Sequence, residues 1–207
     1  MIKNRKAFIV GIKSTSLSIR ERFFLKKYKP WGIILFTRNL KKIDEIKKLT
    51  KDIRDIFNDS KYPILIDQEG GRINRLSKFI DTSIFTAEFF GNLYKKRKKK
   101  FSQYYKIYIE QISYLLNELG ININTVPVLD LKSINSSKII GNRSYSSILK
   151  NTSKIGDFCI KNFSKKKIGT VIKHIPGHGL AKLDSHKFTP TIKNKDVYLF
   201  KNDFSAF

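Results

Sequence analysis

Short apolar runs alternate along the chain with segments in which apolar residues recur every three or four positions. A short unbroken apolar run predicts a buried β-strand, whereas the longer spacing predicts one face of a helix. Strands are accordingly predicted at residues 7–12, 31–36, 63–67, 124–131 and 169–174. Helices are predicted at residues 16–27, 43–57, 101–119 and 146–163, and from near residue 194 to the end of the chain.

The helical periodicity is clearest in residues 43–57 and 101–119. The first stripe consists of Ile43, Ile46, Leu49, Ile53, Ile56 and Phe57. The second consists of Phe101, Tyr104, Tyr105, Tyr108, Ile112, Leu115, Leu116 and Leu119. Gly120 follows directly, and glycine commonly ends a helix because it adopts left-handed backbone angles without steric cost.

Apolar strands that are each followed by a helix indicate an α/β fold with a parallel sheet covered on both faces. Polar residues collect directly after several of the strands, namely Thr37-Arg38-Asn39, Asp67-Gln68-Glu69, Asp130 and Lys173-His174. We interpret residues 68–72 as a loop. In parallel α/β folds the ligand site lies at the carboxyl edge of the sheet, whether the sheet is open or closed into a barrel. The sequence therefore predicts a binding site at this edge.

The chain has 207 residues and a formal net charge of +25. Such an excess of cations could bind nucleic-acid phosphates. However, 33 of the cations are Lys scattered along the chain and only 9 are Arg, the residue better suited to planar phosphate recognition. We therefore do not expect a nucleic-acid partner. We interpret the one dense run, residues 95–100, as a solvated linker, with an electrostatic binding surface as the alternative.

Composition also bears on the compartment. The single cysteine, Cys159, excludes an internal disulfide and gives no sign of an oxidising environment. No apolar stretch approaches the roughly 18 to 20 residues of a membrane span, so no membrane partner is expected. Residues 7–12 are too short for the apolar part of a signal peptide. These features predict a cytoplasmic protein.

All three histidines, His174, His178 and His186, lie within one window of 13 residues. The spacing of the first two would form a metal clamp on a helix, but Pro176 prevents a helix there, so neither a metal nor a cofactor is predicted. Asp184 precedes His186 by two positions and could hydrogen-bond its ring, tuning it as a general acid/base. On chemistry alone, Asp184 capping a turn in the loop is an equally good interpretation.

The histidine segment reads KHIPGHG at residues 173–179 and, four residues later, DSH at residues 184–186. It resembles a motif of glycoside hydrolase family 3, and within it of bacterial β-N-acetylglucosaminidases of cell-wall recycling. Other segments are similar to this family in the same order, namely GIILFTRN at 32–39, IDQEGGRINRL at 66–76, VPVLDL at 126–131 and GNRSY at 141–145. The resemblance thus extends over nearly the whole chain.

The resemblance implies both a fold and an activity. The family fold is a (β/α)8 TIM barrel, and residues 1–207 would form about the first five βα units of one such domain, incomplete at its C-terminus. The implied activity is the hydrolysis of terminal non-reducing β-N-acetylglucosamine from muropeptides, the fragments of peptidoglycan, by a retaining mechanism. The expected partner is therefore a small carbohydrate.

The resemblance also implies the site residues. His186 would be the catalytic acid/base, in place of the second carboxylate of most glycosidases, and Asp184 would orient it. Asp67 would accept hydrogen bonds from hydroxyls of the sugar. The other residues that would hold the sugar and its N-acetyl group are Arg75, Arg143, Lys173 and His174.

The sequence departs from the family pattern in one respect. The family nucleophile is an Asp in an S-D-D type segment several dozen residues beyond DSH, whereas this chain ends at Phe207. We do not expect Asp196 or Asp203 to replace it. Activity would then require a complementing C-terminal polypeptide or a longer reading frame. The alternative is an inactive truncated remnant that at most binds sugar or, non-specifically, nucleic acid.

Overall fold

The computed structural model of the protein describes residues 4–132, 139–175, 178–181, 187, 189–192, 196–201 and 203–207. Its strands are β1 (Lys6–Gly11), β2 (Pro30–Leu35), β3 (Ile64–Ile66), β4 (Gln68–Gly70), β5 (Ile73–Asn74), β6 (Ile123–Asn124) and β7 (Gly169–Thr170). Its α-helices are α1 (Ile19–Tyr28), α2 (Ile43–Phe57), α3 (Ala87–Lys96), α4 (Lys98–Glu118), α5 (Leu149–Lys165) and α6 (Asp196–Lys201). Short 3-10 helices lie at Thr37–Asn39, Gly141–Arg143, His178–Leu180 and Phe204–Ala206.

Five strands form one parallel sheet in the order β1-β2-β3-β6-β7. Neighbouring strands in the sheet follow one another along the chain, and between them the chain returns through helices, as parallel pairing requires. The α/β fold with a parallel sheet, as the sequence predicts, is thereby confirmed. Within the described residues, β1 and β7 are the outer strands of this sheet.

Two predicted elements near the carboxyl edge differ in the structure. Residues 68–72, predicted as a loop, begin an antiparallel hairpin of β4 and β5. The strand predicted at 124–131 is confined to β6 and a single bridge between Val128 and Lys173. Pro127 lacks the N–H that a continuous strand would use, which accounts for the interruption.

Local signals place the helix ends. The Ser18 side chain accepts the Glu21 N–H and the Glu21 carboxylate accepts the Ser18 N–H, which together form a capping box at the start of α1. Gly120 lies just after α4 with a φ of +71°, and a Cβ there would lie 2.6 Å from Thr50 Oγ1. The glycine predicted to end this helix therefore meets both the conformational and the steric requirement.

The basic run at residues 95–100 is exposed but is not a linker, so that part of the prediction is wrong. Lys95 and Lys96 end α3, Arg97 forms the junction, and Lys98 begins α4. The run is helical because the flanking segments supply apolar residues such as Phe90 and Phe101, which are buried.

The core lies between the sheet and the helices that cover it. Its sheet side includes Ile33, Leu35, Ile64 and Ile66, all fully buried. Its helical side includes Ile46, Leu49 and Ile53 of α2 and Ile109, Ile112 and Leu116 of α4. Two residues assigned to the stripes from the sequence, Ile43 and Tyr104, are instead exposed. None of the helices in the described part of the chain combines the length and the apolar character needed to cross a membrane.

Candidate active site

Charged side chains from distant parts of the sequence meet at the carboxyl edge of the parallel sheet. Asp67 follows β3, Thr125 follows β6, and Lys173 lies shortly after β7. Lys173 is 106 positions from Asp67 in the sequence, yet its Nζ lies 3.0 Å from Asp67 Oδ1. The register of β3 with β6 and of β6 with β7 places these strand ends side by side.

The ammonium group of Lys173 has three partners at this edge. Besides Asp67, Nζ lies 2.6 Å from Glu69 Oε1 and 3.1 Å from Thr125 Oγ1. The Thr125 hydroxyl in turn donates to Asp67 Oδ1. Because the Lys173 side chain is only 14% exposed, these contacts replace most of the water around its charge.

Glu69 also binds Arg143 through a bidentate ion pair. Arg143 Nε donates to Glu69 Oε2 at 2.8 Å, and Arg143 Nη2 donates to Oε1 at 2.9 Å. The two side chains are 13% and 7% exposed, respectively. The 3-10 helix Gly141–Arg143 brings the guanidinium into this position. A paired, planar contact of this kind fixes the direction of both groups as well as their separation.

Burial and the nearby cations act in opposite directions on both carboxyls. Burial on its own would raise the pKa of Asp67, but Lys173, Thr125 and Arg75 outweigh it and lower the pKa. Burial would likewise raise the pKa of Glu69, but Arg143 and Lys173 outweigh it and lower that pKa too. Both carboxyls are therefore ionised at neutral pH and can only accept hydrogen bonds.

Arg75 is held less tightly than the other cations. Its Nη2 lies 3.7 Å from Asp67 Oδ2, longer than a hydrogen bond, and its guanidinium lies over the Phe36 ring at 5.6 Å from the centroid. Within the described residues, its buried Nε has no hydrogen-bond partner. The Arg75 guanidinium therefore lies beside Asp67 without a close hydrogen bond to it.

His174 completes the cluster. Its ring lies between two charged groups, with Nδ1 2.7 Å from Asp130 Oδ2 and Nε2 3.4 Å from Arg143 Nη2. Asp130 is completely buried. The ring is thus attached to the same network of ion pairs through Arg143.

The structure brings together five of the residues that the resemblance implies, namely Asp67, Arg75, Arg143, Lys173 and His174. The proposed catalytic pair, Asp184 and His186, lies outside the described residues. In the described part of the chain, no group of three or more His, Cys, Asp or Glu side chains is arranged to hold a metal ion.

The site also contains Glu69, Thr125 and Asp130, to which the sequence analysis assigned no role. A signal for Glu69 was present, because Asp67 and Glu69 are two positions apart in extended backbone and project to the same side. The sequence shows Asp130 only as a polar residue at the end of a predicted strand. Its partner His174 is 44 positions away, so the pairing depends on the fold.

Comparison with known proteins identifies the family. Residues 10–207 match the model described as the glycosyl hydrolase family 3 N terminal domain. This chain belongs to glycosyl hydrolase family 3. A relative from Psychromonas ingrahamii, named β-hexosaminidase, is 31% identical over 205 residues, which are 96% of this chain and 57% of the relative.

Solved structures agree with the assignment to glycosyl hydrolase family 3. Native NagZ from Neisseria gonorrhoeae is 26% identical with a TM-score of 0.87, over 98% of this chain and 58% of NagZ. NagZ from the same organism in complex with N-trifluoroacetyl-D-glucosamine gives 27% identity and a TM-score of 0.88, over 98% of this chain and 59% of NagZ. The fold therefore matches the barrel domain of family 3, and the chain spans a little over half the length of these relatives.

Proposed function

We propose that this chain supplies the sugar-binding part of a β-N-acetylhexosaminidase site that releases terminal β-N-acetylglucosamine from peptidoglycan fragments. The observation that carries the proposal is the cluster of Asp67 with Lys173, Arg75 and Arg143 at the carboxyl edge of the sheet. It is supported by the name of the Psychromonas relative and by the N-acetylglucosamine analogue bound in gonococcal NagZ. The cytoplasmic location expected from the sequence stays a prediction.

The charges of the cluster suit a neutral, hydroxyl-rich ligand. Asp67 is held ionised, so it accepts hydrogen bonds from sugar hydroxyls. Arg75 beside it can donate to ring oxygens or to the carbonyl of an N-acetyl group. Lys173, whose N–H groups are already directed at its three partners, holds Asp67 in place. Because these groups already face one another, little reorganisation precedes binding, which favours affinity.

The proposal assigns the acid/base role to His186 and the orientation of its ring to Asp184. A retaining glycosidase needs two catalytic groups roughly 5 to 5.5 Å apart, one of which forms the covalent glycosyl intermediate. We assign the second, an Asp nucleophile, to a complementing C-terminal polypeptide or to a longer form of this protein.

Binding of N-acetylglucosamine by the full chain tests the sugar-binding role. Asp67→Asn removes the charge that the sugar hydroxyls would meet, and hydrogen bonds to a charged group contribute about 1.5–3 kcal/mol. The variant should therefore bind at least about tenfold more weakly. Asp157→Asn on α5 is the matched control, because Asp157 is exposed and pairs with Lys161. Equal affinity of wild-type protein and Asp67→Asn would contradict the proposal.

Hydrolysis of a chromogenic N-acetylglucosaminide tests the division of catalytic groups. The 207-residue chain alone should show no turnover. Turnover by this chain that is abolished in His186→Ala would show that it contains a complete catalytic site, contrary to the proposal.

A further inference from the structure

Asp130 is a completely buried carboxylate to which three N–H-bearing groups converge. Its Oδ2 accepts the backbone N–H of His174 at 3.3 Å and lies 2.7 Å from the Nδ1 of the same residue. Its Oδ1 accepts the backbone N–H of His178. The side chain therefore binds the backbone at two positions, His174 and His178.

The two neighbours of the His174 ring require the same position for its proton. The Asp130 carboxyl accepts the backbone N–H groups of His174 and His178, one on each oxygen, so it acts here as an acceptor and the Nδ1 that faces it must carry the hydrogen. A guanidinium can only donate, so the Nε2 that faces Arg143 must present its lone pair. The hydrogen-bond partners of a histidine ring determine which nitrogen carries its proton. Here Asp130 and Arg143 both favour the form with the proton on Nδ1.

The ring in this form links two halves of the site. Arg143 uses its Nε and Nη2 on Glu69, and Glu69 also binds Lys173. His174 Nε2 also contacts Arg143, at 3.4 Å from Nη2. A continuous series of hydrogen bonds and ion pairs thus runs from the buried Asp130 to the Asp67–Lys173 pair at the proposed sugar site.

We propose that Asp130 is a positioning residue that holds His174 with its proton on Nδ1 and its Nε2 directed at Arg143. The carboxylate also accepts the backbone N–H groups of His174 and His178, so it holds the chain at both positions. Its effect on sugar affinity rests on the proposed function, because only then do Arg143 and His174 contact the ligand. The position of the ring proton does not depend on it.

The position of the proton is measured by two-dimensional NMR of the 15N-labelled imidazole rings at about pH 8, where an ordinary histidine ring is neutral and carries a single N–H proton. The full chain has 3 histidines, and the signal missing in His174→Gln identifies the ring of interest. We expect a protonated Nδ1 and an unprotonated Nε2 in the wild-type chain. A ring protonated on Nε2 would overturn the proposal.

Asp130→Asn then tests the role of the carboxylate. The amide keeps the size of the side chain but offers one acceptor oxygen where the carboxylate offers two, so part of the His174 population should shift to the Nε2–H form. Affinity for N-acetylglucosamine should fall about fivefold or more, because one of the converging N–H groups loses its partner. Asp157→Asn, at an exposed position, is the control for the same chemical change and should leave the ring and the affinity unchanged.

The outcomes separate the two proposals. A protonated Nδ1 that persists with unchanged sugar affinity in Asp130→Asn would refute the positioning role. Loss of the protonated Nδ1 in Asp130→Asn would support the positioning role, whether or not the wild-type chain binds sugar. Absence of sugar binding by the wild-type chain would contradict only the proposed function. If Asp130→Asn does not fold, the wild-type ring signal decides: a protonated Nδ1 supports the proposal and a protonated Nε2 refutes it.

Discussion

Glu69→Gln is the substitution that most directly tests the energetics of the site. Glu69 is 7% exposed and neutralises two buried cations, with Arg143 atoms at 2.8 and 2.9 Å and Lys173 Nζ at 2.6 Å. The variant keeps the shape of the side chain but leaves Arg143 without a carboxylate partner in direct contact. Removing one member of a buried ion pair costs about 3–5 kcal/mol, because the remaining charge stays desolvated.

We expect the lower end of that range, about 3 kcal/mol, because Lys173 retains its contact with Asp67. For a chain of this size, each kcal/mol corresponds to about 2–4 °C in melting temperature, so the midpoint should fall by about 6–12 °C. Urea unfolding followed by circular dichroism measures the free energy directly. Glu118→Gln is the matched control, because Glu118 forms an exposed ion pair with Lys47 and should lose at most about 1 kcal/mol.

The same variant has a predicted pH dependence. Burial alone would raise the pKa of Glu69, but Arg143 and Lys173 lower it below the ordinary value. A carboxyl with a lower pKa in the folded state stabilises the fold above its unfolded pKa, and this contribution is lost as the pH falls through the folded pKa. The wild-type free energy of unfolding should therefore fall more steeply below about pH 4 than that of Glu69→Gln. Equal stability of the two proteins at neutral pH, within about 0.5 kcal/mol, would refute the reasoning.

Two further predictions concern the helices around the site. In Gly91→Ala the new Cβ would lie 1.7 Å from the carbonyl oxygen of Tyr145, so α3 or the neighbouring backbone must move. Thermal unfolding should show that the free energy of unfolding falls by about 3 kcal/mol or more. A variant as stable as wild type would contradict this packing. The substitutions Lys98→Glu and Lys99→Glu place anions in the first turn of α4, where the helix dipole favours anions over cations. Each substitution should therefore raise the free energy of unfolding, measured by urea titration at low salt, by about 0.3–1 kcal/mol. Stability unchanged or lowered by both would show that the dipole does not govern this helix start.

The sequence predicts the fold better than the detailed site. Strand positions and the parallel sheet follow from local apolar runs, such as residues 31–36, because a buried parallel strand is apolar on both faces. The β4–β5 hairpin was missed, since its residues Gln68–Gly70 and Ile73–Asn74 carry few of the apolar and β-branched residues that signal strands.

The same limit applies to the binding residues. The polar residues after the strands could be grouped at one sheet edge from the order of elements alone. Their hydrogen-bond partners could not be predicted, because the contacts of Lys173 with both Asp67 and Glu69 depend on hairpin geometry and strand register. Asp130 needed its burial and its contact with His174 before any role could be inferred.

A residue-resolved NMR titration of the full chain with N-acetylglucosamine tests whether the sugar binds at the carboxyl edge of the sheet. We expect saturable shifts of the backbone signals of Asp67, Thr125, Lys173 and His174, which surround the proposed sugar site. Signals of the exposed α5 pair, Asp157 and Lys161, should not move. Saturable binding that leaves the signals at the carboxyl edge unchanged would contradict the proposed sugar site. The same conclusion would follow if the chain bound no sugar at concentrations that saturate an intact family 3 relative.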